Sequence, residues 1–268
     1  MRVFDAFTFY NELDLLEIRL ATLNDVVDYF VLVEATKTFQ KSDKPLYFSE
    51  SSARFSKYLH KIIHVVVDDM PDSDDPFVLE AYQRNAIARG LTLCNKHDRI
   101  IISDVDEIPR PEKVKLASAQ QGIKAFRQKL YYYYVNCECV ELNNLPYSVM
   151  CSYGYIVTPQ DLRQLLVETD CAVMTGNPID ERIELIEDAG WHFSYLGGVA
   201  EIINKIKAFS HVEYNEEKYL SERDIEYALT SGADLFGRDY HFNYVKLDDS
   251  FPLFLRNNIS RFSHLIRI

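Results

Sequence analysis

Four short apolar runs, at 3–9, 29–33, 62–67 and 99–102, restrict this chain more than any other feature. After the first run, Asn11-Glu12 opens a stretch in which Leu13, Leu16, Leu20 and Leu23 recur at three- and four-residue spacing, which predicts a helix with one apolar face. The acidic, proline-bearing stretch 68–75 is a loop, and a second helix is expected over 77–91, ahead of the fourth run. Apolar strands separated by helices predict an α/β chain with a mostly parallel central sheet flanked by helices. Ligands of such sheets sit beyond the carboxyl ends of the strands, which here places Asp104 and Asp106 at the binding edge.

Beyond residue 121 the pattern changes. A helix near 112–120 leads into an aromatic strand over 124–136, a further strand over 153–157 and a helix over 160–167. A turn at 175–178 and a segment rich in glycine and aromatics at 190–198 follow. Helices are expected near 199–207 and 221–229, and the tail 244–258 reads as a strand-like piece with a proline-led loop. No repeat or low-complexity linker divides the chain, so one domain is expected over 1–268.

The formal net charge is -12 and no basic run offsets it, which argues against nucleic acid as a partner. No export signal and no apolar run of about 18 residues is present, so no transmembrane segment is expected. Five scattered cysteines without CxxC pairs argue against a disulfide scaffold or structural zinc. These readings point to a cytoplasmic protein, with attachment to the periphery of the inner membrane left open. The 18 Tyr and 16 Phe either line a groove or fill the core.

The strongest local chemistry is Ser103-Asp104-Val105-Asp106-Glu107-Ile108-Pro109. Two aspartates at the turning end of a strand can approach one hard divalent cation, whose other positions phosphate oxygens can fill. Such an ion stabilises charge on a departing diphosphate. An acidic loop capping a helix is the competing reading of the same residues.

The chain resembles the glycosyltransferases related to beta-1,4-mannosyl-glycoprotein N-acetylglucosaminyltransferase, the bisecting-GlcNAc family. The resemblance rests on the segment from Phe4 to Leu20 (FDAFTFYNELDLLEIRL), on Val33-Glu34-Ala35, on Ser103 to Pro109 and on Gly190-Trp191-His192-Phe193-Ser194-Tyr195. It implies a GT-A type fold and an inverting transfer, with UDP-GlcNAc as the leading donor and Mn²⁺ or Mg²⁺ as cofactor. Residues 1–121 would then form the nucleotide-sugar half and 122–268 the acceptor side. The absence of an N-terminal anchor, unlike the animal enzymes, points to a bacterial-type surface polysaccharide or lipid-linked glycan as acceptor.

Roles follow from position. Asp104 and Asp106 are the expected metal residues, with Asp104 also touching the donor; His192 either ligates the ion, donates to the diphosphate or is structural, and the resemblance favours a functional role. Asn11 and Glu12 either contact the nucleotide or cap a helix. Glu34 either binds ribose or base, or is a buried structural carboxylate. Arg84, with Asn85 beside it, either reaches the diphosphate or pairs with Glu80 at i and i+4. Trp191 either stacks on a sugar or packs in the core. Glycine at 190 permits close backbone approach. Asp188, ahead of Glu187, is the candidate base for an inverting displacement. A metal-dependent phosphohydrolase and a carbohydrate-binding protein without catalysis are the two rival readings.

Overall fold

The computed structural model describes residues 1–156 and 158–267. In chain order the first half comprises β1 (Val3–Phe9), α1 (Leu13–Leu23), β2 (Tyr29–Ala35), α2 (Tyr47–Glu50), β3 (Ile62–Val67), α3 (Pro76–Asn85), α4 (Ile87–Gly90), β4 (Arg99–Asp104), β5 (Glu107–Pro109) and α5 (Pro111–Ser118). The second half comprises β6 (Ile123–Tyr132), β7 (Cys137–Ser152), α6 (Pro159–Thr175), β8 (Ile183–Ile186), β9 (Gly190–Ser194), α7 (Val199–Ala208), α8 (Glu222–Ser231), β10 (Phe242–Tyr244) and α9 (Leu253–Asn257).

One sheet runs β3-β2-β1-β4-β7-β6-β9-β5. Its first four strands are parallel. β7 then lies antiparallel between β4 and β6, β6 carries β8 and β9 parallel, and β5 closes the path antiparallel to β9. A parallel block continued by a long antiparallel strand, with helices on both faces, is the GT-A type arrangement. The parallel expectation therefore holds for the first half of the sheet, and the second half is mixed.

The block is buried on both faces because its strands are apolar at both parities. Phe7, Phe30, Leu32 and Ile101 pack against Leu16, Leu20 and Leu23 of α1. Phe4, Ala6, Val31, Val33, Ile100 and Ile102 pack the other way, with Ile87, Leu162 and Leu166. Each such side chain contributes about 1.5–3 kcal/mol on full burial. A further cluster joins Leu15 and Ile18 of α1 to Trp191, Phe251, Leu255 and Phe262, so residues from both halves share it. Among the described residues no helix is long and apolar enough to cross a membrane.

Four elements differ from expectation. The helix expected over 77–91 breaks at Ala86 into α3 and α4. Gly90 explains the close seating of α4: a Cβ there would lie 2.3 Å from Val31 Cγ1. The aromatic strand ends at Tyr132 because Tyr133 takes φ 68°. The helix expected over 160–167 runs on to Thr175, stopped by Gly176 at φ 68°. Lastly, no strand forms at 153–156; the strand is β7, upstream, and Tyr153–Tyr155 make a single 3-10 turn. Val157, the end of that expected strand, lies outside the described residues.

Candidate active site

The turn after β4 is wound around one side chain. Arg19, fully buried on α1, donates to the carbonyls of Asp104 (2.9 Å), Val105 (3.3 Å) and Glu107 (2.8 Å) and to Ser103 Oγ (2.6 Å). Its other donors go to Asp5, at 2.8 and 2.6 Å. Glu107 Oε2 accepts the backbone N–H of Asp104 at 2.7 Å. With the carbonyls and Glu107 used this way, the carboxylates of Asp104 and Asp106 face a cavity of about 320 Å³.

Asp104 and Asp106 keep separate company. The β1–β4 register sets Thr8 opposite Asp104, and Thr8 Oγ1 donates to Asp104 Oδ1 at 2.8 Å. Arg84 and Arg163 each donate to Asp104 at 3.2 Å, on Oδ1 and Oδ2. Burial works to raise this carboxyl, but the two guanidinium groups outweigh it and hold it at about 2. Asp106 Oδ2 accepts from Lys205 Nζ at 2.9 Å, and its Oδ1 faces His192 Nε2 at 3.7 Å. Here too burial opposes ionisation, and Lys205 and His192 overcome it and hold Asp106 far below the usual carboxylate range. Glu107 is pushed up by its burial, although Arg163 grips it at 2.8 and 3.0 Å.

The cavity gathers positive charge in an acidic protein. Lys37, Lys44, Arg84, Arg163, Lys205 and Arg238 line it, against Glu12, Glu80, Asp104, Asp106 and Glu107. Six cations to five carboxylates, in a chain of net charge -12, suits an anionic ligand. Part of the lining is aromatic: Tyr195 and Tyr214 stand 5.3 and 4.2 Å from Phe236, ring centre to ring centre.

The donor set also fits a divalent cation, in part. Among the described residues no three His, Cys, Asp or Glu side chains form a complete metal cluster. Asp106 Oδ1 and His192 Nε2 nonetheless face each other beyond hydrogen-bond distance, and the buried His192 Nδ1 has no partner. That is a two-ligand seat, of the kind a cation completes with phosphate and water oxygens. Asp104 is the more committed of the two aspartates, with Thr8, Arg84 and Arg163 on its oxygens.

The family described as "Glycosyltransferase family 17" matches residues 1–247. The chain belongs to glycosyltransferase family 17. It is 32% identical over 129 residues to beta-1,4-mannosyl-glycoprotein 4-beta-N-acetylglucosaminyltransferase of Rattus norvegicus, and 32% identical over 129 residues to that of Homo sapiens. Each match covers 45% of this chain and 24% of the relative, so it spans about a quarter of those proteins. Among solved structures, glucosyl-3-phosphoglycerate synthase from Mycobacterium tuberculosis, with Mn²⁺, UDP and phosphoglyceric acid, aligns over 95% of this chain and 91% of its own at TM-score 0.38 and 14% identity. A mannosyltransferase from Pyrobaculum calidifontis, with GDP-Man and Mn²⁺, aligns over 69% and 56% at TM-score 0.37 and 12% identity.

In this family 17 chain, five of the residues singled out from sequence meet at the cavity: Glu12, Arg84, Asp104, Asp106 and His192. Glu12 stands at the N-cap position of α1 but makes no cap hydrogen bond; its Oε2 instead accepts from the backbone of Tyr10 and Asn11. Both readings of Arg84 hold at once, since it bonds Glu80 at 2.7 Å and Asp104 at 3.2 Å.

The others lie away from the cavity lining, and for Glu34 and Trp191 the structural alternative is the one the contacts match. Asn11 reaches Glu201, and Asn85 accepts the backbone N–H of Gln160. Glu34 is fully buried among Phe48 N, His64 and Lys44, a structural carboxylate. Trp191 is buried in the core, donates to the Ser250 carbonyl at 3.0 Å and lies under Arg110, so no face is left for a sugar. The base candidates are claimed from outside: Glu187 by Arg127 at 2.8 Å and Asp188 by Arg110 at 3.1 Å. Both are exposed and neither lines the cavity, so neither is placed to take a proton there. Lys205 and Arg163 were missed. Each sits in a helix read correctly as a helix, with nothing local to mark its long-range partner.

Proposed function

We propose that this chain is a metal-dependent inverting glycosyltransferase that moves GlcNAc from UDP-GlcNAc to a hydroxyl of a glycan or lipid-linked glycan acceptor. Family membership supports sugar transfer, and Asp106 Oδ1 and His192 Nε2, facing each other at 3.7 Å beside a cation-lined cavity, carry the reading of a diphosphate donor. A bound Mn²⁺ or Mg²⁺ supplies Lewis-acid stabilisation of the departing diphosphate. Asp106 and His192 would hold it.

The remaining work belongs to the chain's own side chains. Arg84 and Arg163 fix Asp104 in place and add positive charge at the end of β4. Thr8 locks the same carboxylate from β1. The rings of Tyr195, Tyr214 and Phe236 offer faces against which the apolar side of a sugar can pack and exclude water. The transfer is a single displacement: the acceptor oxygen bonds the anomeric carbon, the bond from that carbon to the diphosphate oxygen breaks on the opposite side, and the hydroxyl proton passes to solvent.

The test is a panel of UDP-, GDP- and dTDP-sugars with Mn²⁺ or with EDTA, read by thermal shift and by release of nucleotide to a glycan acceptor. A shift that needs UDP-GlcNAc and Mn²⁺ together is expected. Release of inorganic phosphate without sugar transfer, or a shift with glycan alone, would contradict the reading.

A further inference from the structure

The cavity cations differ in how fully they are used. Arg84 bonds Glu80, Gln160 and Asp104 through its terminal nitrogens, and its buried Nε has no partner. Arg163 is spent on Glu107, the Tyr147 carbonyl and Asp104. Arg238 is paired twice with Asp234. Lys37, with Asp43 at 4.0 Å, and Lys44, with the Pro45 carbonyl at 3.3 Å and Glu34 at 3.6 Å, also keep donors in hand, but of these three lysines it is Lys205 that lies against the acidic turn. An ammonium carries three N–H donors, yet its one hydrogen bond goes to Asp106 Oδ2 at 2.9 Å, and Glu12 Oε1 stands off at 3.8 Å. Its stem is anchored, because Ile202 and Ile206 bury the same helix in the core. Its head, 18% exposed, lies 5.4 Å from the Tyr195 ring at the junction of the acidic and aromatic walls. It also sits on the one oxygen pair, that of Asp106, that the cation seat needs.

Resting on the diphosphate-donor reading above, we propose that Lys205 is a direct contact of the donor's diphosphate. Its ammonium turns from Asp106 Oδ2 to a phosphoryl oxygen when the donor enters, and Asp106 is freed to face the seat it shares with His192. On the phosphoryl oxygen the ammonium neutralises charge on the leaving group.

The test is calorimetric titration of the full chain with inorganic pyrophosphate, UDP and uridine, each in EDTA and in Mn²⁺. Lys205→Met is expected to weaken pyrophosphate and UDP about tenfold or more and to leave uridine unchanged. Lys205→Arg is expected to keep most of the affinity. Asp106→Asn releases the ammonium without altering it, and is expected to tighten pyrophosphate several-fold in EDTA. Lys205→Met binding pyrophosphate as tightly as the unaltered chain, or losing uridine equally, would overturn the proposal, as would unchanged or weaker binding by Asp106→Asn. If the unaltered chain binds neither UDP nor pyrophosphate under either condition, the donor-site reading fails and this proposal falls with it.

Discussion

Arg19 and Asp5 form an ion pair with no solvent exposure on either side chain, at 2.6 Å, and the same guanidinium holds three carbonyls of the turn that presents Asp104 and Asp106. A helix residue 85 positions away from Asp104 in sequence thus sets the shape of the acidic turn. Removing one partner of such a pair leaves a buried charge and several orphaned carbonyls. Arg19→Met is therefore expected to cost about 3–5 kcal/mol in urea unfolding. Arg19→Lys should recover only part of it, because an ammonium lacks the planar fork that reaches Asp5 and the turn together. A loss within about 0.5 kcal/mol, the size of an ordinary surface substitution, would show that the turn does not depend on Arg19.

The two aspartates are expected to separate in their effects. Asp106→Ala should abolish the gain in UDP affinity that Mn²⁺ gives, because its carboxylate faces His192 at the cation seat. Asp104→Ala should change UDP affinity by a similar factor with or without Mn²⁺, because its oxygens are bound to Thr8, Arg84 and Arg163. Titrations of both variants in EDTA and Mn²⁺ check this. Identical loss of the Mn²⁺ gain in both would return Asp104 to the ligand set.

Acid stability follows from the same contacts. Asp104 is held at about 2, below the roughly 3.9 of an unfolded aspartate. A carboxyl depressed in the folded state stabilises the fold above the unfolded value, and that contribution drains away as the pH falls from about 3.9 towards 2. Its size is on the order of 2 kcal/mol. Urea midpoints between pH 5 and pH 2 should fall less steeply for Asp104→Asn than for the unaltered chain. Parallel curves would contradict the assignment.

Glu187→Gln and Asp188→Asn should leave the transfer rate within about threefold, since each acid is paired outside the cavity. Asparagine also tolerates the positive φ of 47° at position 188. Steady-state rates settle the point, and a loss of about a hundredfold or more in either would restore that acid as the base.

The parallel block was legible because strands buried on both faces must be mostly apolar, and residues 29–35 and 62–67 are, with Glu34 and His64 as the polar exceptions. The acidic turn was legible because it ends such a strand. Gly190 was legible too: a Cβ there would lie 2.2 Å from the Ile108 carbonyl, where β9 passes β5. What stayed hidden depends on distant partners. Lys205 meets Asp106 across 99 positions and Arg163 meets Asp104 across 59. β7 carries Asn144 at φ 70° and Pro146 in mid-strand, and the register with β6 shifts around them, so no clean alternation marks it. Glu187 and Asp188 misled because closeness in sequence to His192 does not carry them to its side of the strand.

The most direct measurement is a crystal of the chain soaked with UDP-GlcNAc and Mn²⁺, with the manganese located by its anomalous signal. The account predicts a peak beside Asp106 and His192, with the diphosphate in the cavity between Lys205 and Arg84. A nucleotide ordered outside that cavity, or manganese bound away from Asp106, would contradict it.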